Sequence, residues 1–133
     1  MASPVLLDTS AIYALVSASD DFHGRARRAY TRLLDRAVDL YTTSYILVEV
    51  YALIHRRLGF EHLKTLVESI RNVVNVYWID AATHQAAWEA MVLRDGKDLS
   101  FVDWTTVLVA RRLKAAVFGF DADLRTEDLT VIP

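Results

Sequence analysis

One short segment near the N-terminus joins a run of apolar residues directly to an acid. Val5–Leu7 consists of branched aliphatic residues, and Asp8 and then Thr9-Ser10 follow it without a gap. Such a run is typical of a buried strand, and hydroxyl residues behind it are typical of a helix start. In open α/β sheets, ligands bind in the crevice beyond the carboxyl ends of the strands. The segment therefore favours an α/β fold in which Asp8 either lies at a ligand site or caps the next helix.

The rest of the chain alternates between strand-like and helix-like segments. Further strands are expected at residues 38–41, 73–79, 116–120 and 129–132, with a turn or short helix at residues 121–127. Helices are expected at residues 11–16, 22–37, 45–58 and 60–70, then from Asp80 to about residue 94 and from Ser100 to residue 114. This order predicts a three-layer α/β/α sandwich with a mainly parallel central sheet. Because both prolines lie near the ends of the chain and no linker is evident, residues 1–133 are expected to form one domain.

The composition restricts the classes of function. Hydrophobic residues make up 53% of the chain, whereas the net charge of −2 gives no support to nucleic-acid binding through bulk charge. There are no cysteines, which excludes disulfides, thiolate zinc sites and cysteine nucleophiles. With no basic leader and no apolar run of membrane-spanning length, the protein is expected to be cytoplasmic, with no membrane partner.

Two further acids occupy positions where an ordinary surface charge is unexpected. Asp121 follows the apolar segment of residues 116–120 just as Asp8 follows its own strand. Glu49 lies in the helical segment of residues 45–54, which is apolar nearly all round and is therefore expected to be buried. A buried ionised carboxylate is costly unless it is paired or binds a metal. Glu49 is thus a candidate site residue, unless a nearby arginine pairs with it or it lies on a solvent-facing edge.

Three other aspartates have a structural explanation that competes with a role in a site. Ser100 and Asp103 have the spacing of a capping box, although that motif usually uses Glu or Gln, so the spacing alone allows Asp103 to be a cap or a ligand. Asp123 either joins the site or caps the turn at residues 121–127. Asp80 also follows a strand-like segment and is assigned to helix capping. The step from strand to acid therefore also occurs away from a site.

A cluster of these carboxylates has a definite chemistry. Two carboxylates about 4 Å apart repel by roughly 4 kcal/mol at an effective dielectric of about 20, so several of them stay ionised only beside a cation. A ligand set of oxygen atoms without Cys or His favours Mg²⁺, or Mn²⁺, over zinc. Such an ion activates water and stabilises charge on a phosphodiester. The sequence therefore predicts a metal-dependent nuclease in which Asp8, Asp121 and Glu49 are candidate site residues, whereas Asp103 is either a metal ligand or a helix cap.

At these residues the sequence resembles the PIN-domain ribonucleases, most closely the VapC-type toxins of bacterial and archaeal toxin–antitoxin pairs. The matching motifs are Leu7-Asp8-Thr9-Ser10, Thr43-Ser44 followed by Glu49, Leu99-Ser100-Phe101-Val102-Asp103, and Phe118-Gly119-Phe120-Asp121. Their order and spacing extend the resemblance over essentially the whole chain. One departure is Gly119, where relatives more often carry a β-branched or hydroxyl residue.

The resemblance implies a PIN-like nuclease domain over residues 1–133, with Mg²⁺- or Mn²⁺-dependent endonucleolytic cleavage of RNA. By position, Asp8, Glu49, Asp103 and Asp121 match the family's acidic quartet, and Ser10 matches its small polar residue beside the first aspartate. The resemblance makes Asp103 a metal ligand rather than only a cap. It also implies a homodimer and a cognate antitoxin as partners.

A candidate RNA surface lies outside these acids. Arg25, Arg28 and Arg32 form a stripe that flanks the apolar face of the helix at residues 22–37. They could contact phosphates or form a solvated helix face. Exposed apolar residues on the helices at residues 45–58 and 60–70 could serve a dimer or an antitoxin, although core packing explains most of them equally well.

Two other readings of the acids remain open. In an aspartyl phosphotransferase, Asp8 would be the nucleophile. Phosphatases of that class carry a second acid two residues after the first, where this chain has Ser10, and receiver domains carry one just before it, where this chain has Leu7. The chain could also be a catalytically inactive module that binds RNA or an antitoxin. Retention of all four candidate acids argues against that second reading.

Overall fold

The central sheet consists of five short strands, and this computed structural model describes residues 3–133 except the side chain of residue 126. The strands are β1 (Val5–Leu7), β2 (Leu40–Thr43), β3 (Val74–Tyr77), β4 (Ala116–Phe118) and β5 (Val131–Ile132). They lie in the order β3-β2-β1-β4-β5, and every neighbouring pair is parallel. The expected mainly parallel sheet is therefore confirmed. Residues 1 and 2 of the expected domain lie outside the described residues.

Six α-helices flank the sheet. They are α1 (Thr9–Val16), α2 (His23–Asp35), α3 (Ser44–Leu58), α4 (Phe60–Ile70), α5 (Ala81–Leu93) and α6 (Phe101–Leu113), and a 3-10 helix spans Ala122–Glu127. Side chains cap four of the six α-helices in the way the sequence indicates, since Asp8, Thr43, Asp80 and Ser100 each accept a hydrogen bond from a backbone amide of the first turn. No helix among the described residues is long and apolar enough to cross a membrane.

The two faces of the sheet are covered by different helices. Side chains of β1 alternate: Val5 and Leu7 pack with α1–α4 in one core cluster, and Leu6 packs with α5 and α6 in another. All three residues are buried, as expected of a parallel strand covered on both sides. This arrangement is the predicted three-layer α/β/α sandwich.

Two strands differ from their expected bounds for reasons seen in the backbone. β2 begins at Leu40 rather than residue 38, because the Val38 amide closes the end of α2 by donating to the Leu33 carbonyl. β4 ends at Phe118 rather than residue 120, because the Phe120 amide donates to the Ser10 hydroxyl instead of a sheet partner.

The strand order positions the site. The chain starts in the middle of the sheet with β1, adds β2 and β3 on one side, and then crosses back to add β4 and β5 on the other. This reversal makes the carboxyl ends of β1 and β4 the topological switch point, where such sheets bind ligands. Asp8 directly follows β1, and Asp121 follows β4 after two intervening residues.

Candidate active site: a carboxylate pocket at the switch point

The four candidate acids line one pocket. It has a volume of about 470 Å³, and Asp8, Glu49, Asp103 and Asp121 all contribute to its wall. Asp8 caps α1 after β1, Glu49 lies in α3, Asp103 lies in the first turn of α6, and Asp121 caps the 3-10 helix after β4. Four segments distant in sequence thus bring carboxylates to the carboxyl edge of the sheet. We call this cavity the carboxylate pocket.

A larger cavity of about 560 Å³ lies between α1, α2 and α4. Its wall is mainly apolar, with Ile12, Leu15 and Leu66 among the lining residues, and it contains none of the four candidate acids. The carboxylate pocket is the candidate active site because it combines the switch point with the four acids.

Asp8 is the most buried of the four acids, with 7% of its surface exposed. Burial raises the pKa of its carboxyl from 3.8 to about 6. Hydrogen bonds from the Ala11 amide and the Ser10 hydroxyl oppose this rise in pKa, whereas the charges of Asp103 and Asp121 add to it. Asp8 is therefore both the helix cap and the candidate ligand that the sequence left as alternatives.

Ser10 links Asp8 to the segment after β4. Its hydroxyl donates to Asp8 Oδ1 at 2.8 Å and accepts from the Phe120 amide at 2.8 Å. The position expected to support the first aspartate thus fixes that carboxylate relative to the residue just before Asp121.

Gly119 lies against the same carboxylate. A Cβ placed on Gly119 would lie 2.5 Å from Asp8 Oδ1, so no side chain fits there while Asp8 keeps this position. The departure from the family pattern at this residue therefore makes room for the buried acid. The fit of Gly119 depends on a contact between β1 and β4, which the sequence pattern does not show.

Asp103 is a helix cap that also lines the carboxylate pocket. It completes a capping box, since the Ser100 amide donates to Asp103 Oδ2 at 3.0 Å and the Asp103 amide donates to Ser100 Oγ at 3.1 Å. Partial burial raises the pKa of the Asp103 carboxyl, and the charges of Asp121 and Glu49 add to the rise. A local cap is thus also part of the carboxylate pocket.

Glu49 lines the pocket for a different reason from the expected one. The sequence predicted a buried charge, but Glu49 is exposed, because the core-facing side of α3 consists of other residues, such as Ile46, Val50 and Ile54. Val48 beside it is 69% exposed, so the all-round apolar pattern did not mean burial. The expectation that Glu49 is buried is wrong, and the alternative that it lies on a solvent-facing edge holds. Its Oε1 accepts from the Thr9 hydroxyl at 2.7 Å, which ties α3 to the start of α1.

Asp121 and Asp123 form one turn. The Asp123 amide donates to Asp121 Oδ1 at 3.0 Å, so Asp121 caps the 3-10 helix while it lines the pocket. Asp123 is exposed, and its backbone orients Asp121.

A divalent cation fits the donor chemistry of this pocket. The donors are carboxylate oxygen atoms, which are the ligands that Mg²⁺ and Mn²⁺ prefer. The negative charges of Asp103 and Asp121 both raise the pKa of the Asp8 carboxyl, and a cation bound among the three acids would lower that pKa again. The hydrogen bonds that these three acids accept from described residues use one oxygen of each carboxylate. Within residues 3–133, however, no three Asp, Glu or His side chains are arranged as a ready ligand set. The chemistry fits, and binding would require the carboxylates to draw together.

The candidate RNA-binding arginines are not equivalent. All three lie on the exposed face of α2, and among the cation–ring contacts of the described residues Arg25 is the member that meets rings lining the pocket, namely Phe22 and Phe120. Sequence reasoning singled out neither ring as functional. The one available signal was the position of Phe120 directly before Asp121.

Comparison with known proteins shows a family match and relatives that cover most of the chain. Residues 5–127 match the sequence model of the PIN domain family. The 23S rRNA-specific endonuclease VapC20 of Mycobacterium tuberculosis is 32% identical over 122 residues, which is 90% of each protein. The crystal structure of Mycobacterium tuberculosis VapC20, described as a sarcin–ricin loop cleaving toxin, aligns with a TM-score of 0.82 at 29% identity over 95% of this chain and 96% of that chain. VapBC-1 from nontypeable Haemophilus influenzae aligns with a TM-score of 0.65 at 16% identity over 96% of each chain, which supports the fold alone.

Proposed function

The chain belongs to the PIN domain family, and we propose that it is a VapC-type endoribonuclease whose activity requires Mg²⁺ or Mn²⁺. The observation that carries this proposal is the pocket at the switch point, where buried Asp8 lies with three further acids from distant segments of the chain. In that position burial raises the pKa of the Asp8 carboxyl to about 6. Such a group is poorly placed as a mere helix cap. It is well placed as a ligand of a cation that neutralises it.

We assign the metal to Asp8, Asp103 and Asp121. When bound there, the ion would acidify a water molecule and stabilise charge on the phosphodiester during its hydrolysis. Ser10 and Asp123 hold Asp8 and Asp121 through the hydrogen bonds described above. Glu49 lies at the solvent-exposed side, where it would accept the proton of the attacking water, and the Thr9 hydroxyl holds its carboxylate.

We propose RNA as the substrate, and the sarcin–ricin loop of 23S rRNA as the first target to test. The identity and structural agreement with VapC20 support this choice. Action on ribosomal RNA would place the protein in the cytoplasm. Arg25, Arg28 and Arg32 extend along α2 from the pocket side, and we propose that they contact the RNA backbone.

We further propose two protein partners, a cognate antitoxin and a second copy of the chain. The apolar cavity between α1, α2 and α4 is the candidate antitoxin site, and the exposed Val48 on α3 is the candidate for the dimer. Light scattering of the purified protein, alone and with the product of an adjacent small gene, measures both assemblies. A monomer that binds no such product would contradict both assignments.

The direct test is cleavage of RNA by the purified protein. We expect cleavage with Mg²⁺ or Mn²⁺, none in EDTA, and recovery when the metal is restored. Asp103→Asn should abolish cleavage, and Asp35→Asn, at the exposed C-terminal end of α2, is the matched control that should retain it. Cleavage that survives EDTA, or full activity of the Asp103 variant, would contradict the metal assignment.

A further inference from the structure

Two stacked aromatic rings form part of the wall of the carboxylate pocket. The centroids of Phe22 and Phe120 are 4.5 Å apart and their planes differ by 9°. Phe120 is the inner ring, because it packs edge-on against buried Phe118 with the centroids 6.2 Å apart. Phe22 is the outer ring and remains 39% exposed. The pair therefore continues the core outward and ends in an exposed ring at the pocket.

Arg25 lies beside this pair. Its Cζ is 5.8 Å from the centroid of Phe22 and 5.6 Å from that of Phe120, so the guanidinium contacts both rings. Among the ion pairs of the described residues, none involves Arg25. The rings thus contact a cation, and no carboxylate of the described residues lies within ion-pairing distance of it. It is available for an anion that enters the pocket.

Hydrogen bonds fix the pair relative to the acids. The Phe22 amide donates to Asp20 Oδ1 at 2.9 Å, which holds the start of α2. The Phe120 amide donates to Ser10, whose hydroxyl donates in turn to Asp8. The rings are therefore held at a set position relative to Asp8 before any ligand binds, which lowers the entropic cost of binding.

We propose that Phe22, Phe120 and Arg25 form a stacking subsite that holds one unpaired nucleotide of the RNA next to the phosphodiester to be cleaved. The proposal rests on the proposed endoribonuclease function. The base stacks on the outer face of Phe22, and Arg25 contacts the adjoining phosphate. Unpaired bases are the part of RNA that stacks on aromatic side chains, so the subsite selects single-stranded loops over continuous duplex.

The molecule contains a matched control for this arrangement. Phe60 on α4 is also exposed, at 59%, and Lys64 Nζ lies 5.8 Å from its ring centroid. Lys64 also pairs with Glu61 at 3.9 Å, and neither Phe60 nor Lys64 lines the carboxylate pocket. Changes at Phe60 therefore report the loss of an exposed ring without loss of the subsite.

The first experiment measures the affinity of a fluorescein-labelled single-stranded RNA oligonucleotide by fluorescence anisotropy, at low salt and in EDTA so that no cleavage occurs. Phe22→Leu keeps the apolar contact with Phe120 but removes the ring. We expect binding about tenfold weaker, as for loss of one base–aromatic stack. Phe60→Leu should bind like the wild-type protein. Equal affinities of the two variants, or no binding by the wild-type protein, would overturn the proposal.

The second experiment removes bases instead of the ring. In a series of oligonucleotides with one abasic position each, one position should weaken wild-type binding about tenfold and leave the affinity of Phe22→Leu unchanged. Arg25→Ala should lower the slope of log Kd against log salt by about one, as for loss of one phosphate contact. An abasic penalty that persists in Phe22→Leu would show that the base lies elsewhere.

Cleavage assays separate this proposal from the function on which it rests. If the wild-type protein cleaved RNA but Phe22→Leu bound RNA with unchanged affinity, the stacking subsite would be contradicted and the nuclease function supported. If no metal supported cleavage but Phe22→Leu still bound RNA about tenfold more weakly, the nucleotide-binding surface would be supported and the nuclease function contradicted. Far-UV circular dichroism of each variant verifies that it is folded.

Discussion

Asp8 and Asp80 occupy equivalent places in two regions of the molecule, yet their surroundings differ. Each follows a segment that leads out of a strand, and each accepts a hydrogen bond from the amide three residues later, from Ala11 at 3.1 Å and from Thr83 at 2.8 Å. Asp8 is buried and its pKa is raised to about 6, mainly by loss of hydration. Asp80 is exposed, and hydrogen bonds from Thr83 lower the pKa of its carboxyl.

The difference comes from the position of each strand in the sheet. Asp8 follows the central β1, so the segment after β4 and the start of α6 enclose it and bring further acids to it. Asp80 lies beyond the edge strand β3, where solvent reaches the carboxylate and Arg112 is the charged neighbour. The same type of helix cap thus only stabilises a helix at the edge of the sheet, at Asp80, whereas in the middle of the sheet, at Asp8, it also forms part of a cluster of acids. Pairs of variants at the two positions test this contrast.

The largest expected effect is on cleavage. Asp8→Asn should lower the rate of RNA cleavage by about 10³-fold, in the range for loss of one group that stabilises the transition state. Asp80→Asn should leave the rate within about twofold, because Asn caps a helix as well as Asp does. Initial rates of both purified variants at saturating Mg²⁺ make the comparison. Similar losses at the two positions would end the distinction between them.

Gly119 offers a way to disturb Asp8 without changing it. In Gly119→Ala the new methyl group would displace the Asp8 carboxylate, and a misplacement of about 1 Å can cost about 10²-fold in rate. Asp35→Asn, at the exposed end of α2 and outside the carboxylate pocket, is the control that should keep its rate. A fully active Gly119→Ala enzyme would show that the position of Asp8 is not critical.

The pH dependence of stability should have opposite sign at the two aspartates. The pKa of Asp8 is higher in the folded state, so the folded protein binds more protons there and loses stability as pH rises from 3.8 to about 6. At about 1.36 kcal/mol per pKa unit this loss is about 3 kcal/mol at neutral pH, so metal-free Asp8→Asn should be more stable than the wild-type protein by about that amount.

Asp80 has a lowered pKa, so its contribution to stability is present at neutral pH and is lost as pH falls below its unfolded value of 3.8. Urea denaturation in EDTA at a series of pH values measures both slopes. A wild-type protein whose stability does not fall between pH 4 and 7, or whose Asp8→Asn variant has the same slope, would contradict the raised pKa.

Metal should remove the Asp8 penalty. A cation that binds only the folded protein stabilises it by about 2.7 kcal/mol when present at about 100 times its Kd. Mg²⁺ or Mn²⁺ should therefore raise the melting temperature of the wild-type protein and of Asp80→Asn, but not that of Asp8→Asn. An equal rise in all three proteins would indicate binding away from the carboxylate pocket.

Features encoded by neighbouring residues could be predicted from the sequence. The strand-to-helix step at Asp8, the capping box at Asp103 and the cap at Asp80 are all present, because each depends on hydrogen bonds within one turn. The pattern also placed Asp8 and Asp121 at strand ends, and the parallel sheet brings those ends together.

Features that depend on contacts between distant segments could not be read in the same way. The apolar run around Glu49 suggested burial, but which side of α3 faces solvent depends on how that helix packs on α1, α4 and the sheet. The fit of Gly119 against Asp8 and the stack of Phe22 on Phe120 join residues far apart in sequence. Individual residue types carry no signal for such pairs.

The smallest expected effect isolates the capping role that both aspartates share. Asp80→Ala removes the acceptor of the Thr83 amide and should lower the free energy of unfolding slightly, because an exposed N-cap is lost. Because no candidate ligand lies beside Asp80, the cleavage rate and the Mg²⁺-dependent rise in melting temperature should both persist. Asp8→Ala loses a cap as well, but it also removes a buried charge, so it should not be destabilised by the same amount. If both alanine variants were destabilised equally and the Asp8 variant still cleaved RNA, capping alone would account for both residues.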